Sequence, residues 1–211
     1  MFTDSIDINT VDGTQFTFSE HYARTLDGVP REPLDGIADG YRLVGDFRTT
    51  IFGGNFIHTS SMMMRKTVFE QAGRFNPDCF GTEDIDLWLR LIRITTFGYW
   101  RQVCTTRVKS ETSISQLSER RLQAVKHLYD MYLGSAQDAD LHPHIKTKMP
   151  GLYRRLARVY GRSGQLGKAI GAFRASLAYG FDYRTAMYAA ASVLGPLPFR
   201  VGRWIARRIK R

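Results

Sequence analysis

Three acids open an apolar-periodic segment, Gly81-Thr82-Glu83-Asp84-Ile85-Asp86-Leu87-Trp88-Leu89-Arg90-Leu91, and this segment constrains the chain more than any other. Thr82 is a candidate N-cap. Glu83, Asp84 and Asp86 fall in the first turn, where unpaired amides and the helix macrodipole favour negative charge, so the spacing predicts a helix starting at Thr82. Past Thr95, residues 99–108 alternate as a strand does. Trp100, Gln102, Cys104 and Thr106 fall on one side and Tyr99, Arg101, Val103 and Thr105 on the other. Ahead of the helix, residues 51–64 are apolar and lead into a short helical segment ending at Gly73, a residue suited to a left-handed cap. The chain opens with Phe2, Ile6 and Ile8 in a strand-like pattern. Asp12-Gly13 then joins it to a second run through Phe16 and Phe18, which predicts a hairpin. Between hairpin and apolar run, residues 21–50 are broken by Gly28, Pro30, Pro33, Gly36, Gly40 and Gly45 and read as a long connection holding a short helix. Strand, helix and strand in this order predict an α/β layer.

Beyond Val108 the composition turns polar, and everything after it reads helical. The expected organisation is an α/β domain over residues 1–117, a helical region over 118–185 and a tail over 186–211. Ser118 can cap a helix whose apolar positions are Leu122, Val125, Tyr129, Tyr132 and Leu133, closing at Gly134. A polar linker with Pro143 and Pro150 then precedes a helical pair over 152–161 and 165–179. Tyr153, Leu156, Ala157, Tyr160, Gly164, Ala169, Phe173 and Leu177 of this pair resemble the packing pattern of a tetratricopeptide repeat. Ser176 stands where that pattern has alanine and Phe181 where it has proline. One repeat cannot bury its own face, so the pair is expected to pack on the preceding domain.

The chain's 211 residues, 43% of them hydrophobic, suffice for a packed core. Cys79 and Cys104 make neither a disulfide framework nor a zinc spacing, which favours a reducing, cytoplasmic setting. No signal-like start and no apolar run of about 20 residues is present, so a membrane-spanning protein is not expected. Charge is unevenly placed: four Lys/Arg stand against nine Asp/Glu in residues 1–50, and thirteen against one in residues 151–211. The basic character therefore belongs to the C-terminal third. There Val201, Trp204, Ile205 and Ile209 form one helical face among Arg200, Arg203, Arg207, Lys210 and Arg211, the pattern of an interfacial helix drawn to an anionic membrane surface. A solvated basic tail, or a helix packed on its own protein, is the alternative. No basic groove interleaved with aromatics points to nucleic acid.

Several strings in order, Asn55-Phe56-Ile57, Ser60-Ser61-Met62-Met63-Met64-Arg65-Lys66, Gly73-Arg74-Phe75 and Thr82-Glu83-Asp84 with Leu87-Trp88-Leu89-Arg90, resemble the acceptor-side half of family 2 glycosyltransferases, of GT-A type. The resemblance spans roughly residues 1–117. It implies a partial GT-A domain, inverting transfer of a sugar from a nucleotide-sugar donor to a hydroxyl acceptor, and Asp84 as the catalytic general base. It also implies substrate-binding roles for Glu83, which would position the acceptor, and for Asn55. Trp88 and Arg90 are expected to be scaffold and a structural ion pair. In that family a divalent metal, Mn or Mg, sits on the donor diphosphate at an Asp-x-Asp. The family's donor-binding half, which carries that string, has no counterpart in this chain. Asp84-Ile85-Asp86 lies on the helix and Asp138-Ala139-Asp140 in a polar stretch, and neither fits. Lys109 stands where the family often has a metal-binding histidine; it cannot ligate a metal while protonated but can pair with phosphate.

Among the remaining candidates, Met62, Met63 and Met64 read as core filler, and His142 and His144 as a solvated loop pair. Gly53-Gly54 reads as a turn ahead of Asn55. The overall expectation is a bacterial, cytoplasmic transferase fragment peripheral to the inner membrane. A non-catalytic scaffold retaining a relic transferase domain is the alternative.

Overall fold

The computed structural model describes residues 1–10, 12–109 and 119–180, which group into two compact units, one within residues 1–109 and one within 119–180. The expected cap at Ser118, the polar loop after Lys109 and the tail over 186–211 lie outside the described residues.

The first unit is α/β. Its elements run β1 (Phe2–Asn9), β2 (Gln15–Thr17), α1 (Phe18–His21), α2 (Ala23–Asp27), β3 (Arg31–Pro33), β4 (Gly40–Leu43), α3 (Arg48–Gly53), α4 (Lys66–Gln71), α5 (Glu83–Ile92) and β5 (Phe97–Lys109). The five strands form one mixed sheet in the order β2-β1-β5-β4-β3, with β1 and β5 parallel and every other pair antiparallel. Residues 10–96, including the helix with the three acids, thus lie on the connection between the two central parallel strands. Aromatic side chains fill the core beside the sheet. Phe2 stacks on Tyr99 with centroids 5.0 Å apart, and Phe47 meets Phe97 edge-on at 5.5 Å and Phe56 at 6.1 Å, all five being buried.

The hairpin forms at Asp12-Gly13 as its turn chemistry predicts. Gly13 takes φ +71°, and the Asp12 carboxylate accepts from both the amide and the hydroxyl of Thr14. The second run is shorter than expected, because Thr17 stops the strand. Its side chain accepts from the Glu20 amide while the Glu20 carboxylate takes the Thr17 amide, a capping box that makes Phe18 the first residue of α1. The stretch over 21–50 is not a bare connection either. It holds α2, the β3–β4 hairpin and the start of α3, with Gly36 at φ +74° and Asp39 at φ +55° turning the chain between the two strands.

Period-two alternation fails along β1. Asp4, Ser5 and Asp7 are buried while Ile6 and Ile8 are half-exposed. The register against β5 slips twice, between Thr3 and Asp4 and between Asp4 and Ser5, and such bulges rotate the following side chains. The buried acids are satisfied. Asp4 accepts from the Ser5 amide and from the Ser19 amide and hydroxyl, and Asp7 takes a two-pronged contact from Arg107, opposite it in register.

The second unit contains α6 (Glu119–Leu133), a 3-10 turn over Ala136–Leu141, α7 (His142–Arg162) and α8 (Leu166–Ala178). The expected linker around Pro143 and Pro150 is instead the first half of α7. Pro143 sits in the first turn, where no amide is needed, and Ile145, Met149, Leu152, Leu156 and Tyr160 make a buried stripe at helical spacing that carries the helix through Pro150. The tetratricopeptide-like face has a partner inside its own unit, since α7 packs on both α6 and α8. Leu156, Ala157, Tyr160, Ala169 and Phe173 are buried, whereas Tyr153 is half-exposed and Leu177 exposed. His142 is not a solvated loop residue: its Nε2 lies 3.0 Å from the Tyr132 carbonyl and 3.1 Å from that of Ser135. His144 sits one residue past the Pro143 of the same first turn, partly buried, and burial lowers its basicity.

Of the two departures from the repeat pattern, Phe181 lies outside the described residues, and Ser176 is fully buried and donates its hydroxyl to the Pro150 carbonyl at 3.1 Å. Ser176→Ala is expected to lower stability by about 1 kcal/mol, seen in urea unfolding as a lower midpoint at an unchanged slope.

Candidate functional site

Helix α5 presents its acids to three different environments. Its apolar face, Leu87, Trp88, Leu89 and Leu91, is buried and fixes the helix against the unit's core. Asp86, only 2% exposed, accepts from Arg90 Nε at 3.1 Å and Nη2 at 2.6 Å, one helical turn on. The same guanidinium donates to the Arg74 carbonyl at 2.7 Å and to the Ala72 carbonyl. It therefore ties α5 to the end of α4. There Gly73 at φ +82° and Arg74 at φ +61° close the helix, with the Gly73 amide on the Glu70 carbonyl and the Arg74 amide on that of Phe69. Arg90 is thus the structural ion pair expected from the sequence, with a backbone role in addition.

Between α4 and α5 the chain makes a 3-10 turn over Pro77–Cys79, capped by Asn76, whose side chain accepts from the Asp78 amide at 3.0 Å. Thr82 is the N-cap of α5 by position, but its side chain does not cap. It is fully buried and donates to the Cys79 carbonyl at 3.2 Å, so it anchors the turn behind the helix. Glu83 folds back instead and accepts the Gly81 amide at 2.5 Å, with Gly81 at φ +83°.

Asp84 is half-buried at the helix start. Its Oδ1 accepts from the Ile85 amide at 2.8 Å, and its Oδ2 from Asn55 Nδ2 at 3.0 Å and, more loosely, from Thr59 Oγ1 at 3.4 Å. Asn55 is oriented by its other end, because its Oδ1 accepts from the Ile57 amide at 3.2 Å and so leaves the amino group toward Asp84. Gly54 lets this segment approach α2, for a side chain there would meet the Tyr22 ring at 3.0 Å. Asp84 and Asn55, named separately from sequence, are thus in contact; Thr59 completes the set and carried no sequence signal. Lys109 is the last residue of β5, with its backbone opposite Asn9.

Asp84 and Glu83 open on a cleft of about 450 Å³, whose other lining is Thr59, Phe75, Asn76, Pro77 and Phe80. The Asp-x-Asp strings do not present paired carboxylates to this cleft. The one nearby carboxylate at Asp-x-Asp spacing, Asp86, is buried on Arg90, and among the described residues no group of three or more His, Cys, Asp or Glu side chains comes together. The second such string is likewise spent on structure, with Asp138 buried and accepting from Ser135 Oγ at 2.6 Å. The methionine triplet is not core: Met63 is 67% exposed, and Met62, Met63 and Met64 line a separate groove with Met1, Val68, Leu91 and Phe97. Among the described residues no helix is long and apolar enough to cross a membrane. No protein-family model matches the chain, and no curated protein or solved structure matches it either.

Two outcomes follow from this geometry. Arg90→Ala, which strands Asp86 in the interior, is expected to cost about 3 kcal/mol in urea unfolding, whereas Lys66→Ala, at the exposed pair with Glu70, costs under about 0.5 kcal/mol. Cys79 is buried and its thiol is pushed up to about 11 by that burial and by Asp86, while Cys104 is exposed. At pH 8 a thiol reagent such as DTNB is expected to take one equivalent rapidly from the native protein and the second only on unfolding.

Proposed function

We propose that the α/β unit is the acceptor-side part of an inverting glycosyltransferase domain of GT-A type, with Asp84 as the general base that takes the proton of an acceptor hydroxyl as it attacks the anomeric carbon of a nucleotide-sugar. The observation that carries this reading is the placement of Asp84. Its carboxylate is held by donors from α5 and from the Asn55–Thr59 segment and faces a cleft large enough for a ligand. A base needs this combination of fixed orientation and access, and the helix N-terminus favours its ionised form. Asn55 and Thr59 position the base by holding Oδ2. Glu83, held on the Gly81 amide, lines the acceptor side of the same cleft.

In this reading the donor nucleotide and any Mn or Mg on its diphosphate are held by residues other than those of the cleft, and Lys109 is a candidate for the phosphate. The basic tail would hold the protein at an anionic membrane surface. A scaffold role without catalysis is the competing reading, and the same experiment separates the two. With labelled nucleotide-sugars and the complete donor and acceptor machinery present, the protein is expected to transfer sugar, and Asp84→Asn to reduce the rate by about 10²–10⁴ with circular dichroism unchanged. Undiminished transfer by the variant removes Asp84 from the role of base. A wild-type protein that neither binds nor turns over any nucleotide-sugar, with or without manganese, supports the scaffold or fragment view, and saturable binding sinks it.

A further inference from the structure

The cleft before Asp84 is lined by two unlike sets of residues. Glu83, Asp84, Thr59 and Asn76 are polar, and Phe75, Pro77 and Phe80 are apolar. Phe75 is 42% exposed and Phe80 55% exposed, an unusual pairing of large apolar side chains facing solvent in one small site. Neither is loosely held. Phe75 is braced edge-on by Phe69, with centroids 5.5 Å apart, and the loop carrying both rings is pinned at one end by Arg90 on the Ala72 and Arg74 carbonyls and at the other by Thr82 on Cys79. No Lys, Arg or His is among the residues that line the cleft.

We propose that the cleft takes a neutral sugar ring as acceptor, its C–H face on Phe80 and Phe75 and its hydroxyls toward Asp84 and Glu83; this rests on the glycosyltransferase reading of the site. The ligand must be amphiphilic, since polar and apolar residues line the same small volume. It must also bring several hydroxyl donors, because the polar lining holds two carboxylates beside the Thr59 hydroxyl and the Asn76 amide. A fatty alcohol or a phenol meets the apolar residues but offers a single donor. A phosphorylated or carboxylated acceptor would set like charge against Glu83 and Asp84 with no cation in the lining to offset it. A pyranoside meets both sets of residues.

The test uses saturation-transfer NMR on the full 211-residue chain with millimolar methyl glycosides of glucose, galactose, mannose and N-acetylglucosamine. Sorbitol, choline and glucose 6-phosphate serve as acyclic, cationic and anionic comparisons. At least one glycoside is expected to receive saturation mainly at its ring C–H protons. Phe80→Ala should weaken that binding roughly tenfold at an unchanged Tm, since the side chain is more than half exposed, and Phe80→Tyr should retain it. Absence of transfer to every glycoside, binding indifferent to Phe80→Ala, or preferential binding of choline or glucose 6-phosphate each overturns the proposal. The two readings can fail separately. Phe80-dependent glycoside binding together with wild-type turnover by Asp84→Asn sinks the base assignment alone. Loss of turnover in Asp84→Asn with no glycoside contact at Phe80 sinks the acceptor class alone.

Discussion

The ion pair of Asp86 with Arg90 is the contact on which the candidate site depends. A buried pair of this kind adds little stability over an apolar substitute, because both groups lose hydration. Its value here is geometric. The guanidinium has donors enough to serve Asp86 and two backbone carbonyls at once, so a single side chain sets the distance between the end of α4 and the body of α5. Lysine, with one charged point on a flexible stem, could not span those acceptors in a plane. The left-handed residues Gly73 and Arg74 close α4 where the Ala72 and Arg74 carbonyls meet Arg90, and the chain beyond them carries Phe75 and Phe80 to the cleft at the first turn of α5.

Three acids within four positions have three different fates, and the helix dipole does not distinguish them. All of Glu83, Asp84 and Asp86 lie where a helix start favours negative charge. What separates them is the partner each meets. Asp86 points into the interior and is consumed by Arg90. Glu83 turns back to the Gly81 amide. Asp84 is met by a side chain from a distant segment, Asn55, which is itself fixed by the Ile57 amide. Long-range contacts to a single carboxylate in a cleft are the physical content that a bare Glu-Asp string lacks.

Local signals in the sequence located α5, the Gly73 cap and the Asp12-Gly13 turn, because each is set by residues close to one another in the chain. The α/β class was legible for the same reason, from the order of a strand, a helix and a strand. The failures lie where non-local contacts decide. Phe2, Ile6 and Ile8 read as a strand without saying which side is buried, and the two bulges against β5 turn Asp4, Ser5 and Asp7 inward; Asp4 and Asp7 are tolerable there because Ser19 and Arg107 reach them from 15 and 100 residues away. Met62, Met63 and Met64 read as core because methionine is apolar, but their exposure is set by what packs beside them. In the site, Asp84 and Asn55 were legible only together with the wider pattern around them. Thr59, Phe75 and Phe80 were not, since nothing in their spacing states that two separate segments, one before α4 and one after it, meet at the same cleft.

The helical unit shows the opposite balance, where a strong local breaker is overridden. Two prolines and a polar stretch argue for a linker ahead of Leu152, and the interior Pro150 costs the helix one backbone bond. The stripe through Ile145, Met149, Leu152 and Leu156 buries enough apolar surface on both sides of the proline to outweigh that loss. Ser176 then places a hydrogen bond on the Pro150 carbonyl, from the position where alanine would allow closer packing but no bond. Ser176 thus ties α8 to the α7 backbone at the proline, a local joint between the two helices. With α6 on its other side, α7 buries its face within its own unit, so the pair does not need the packing on a neighbouring domain that a lone repeat would require.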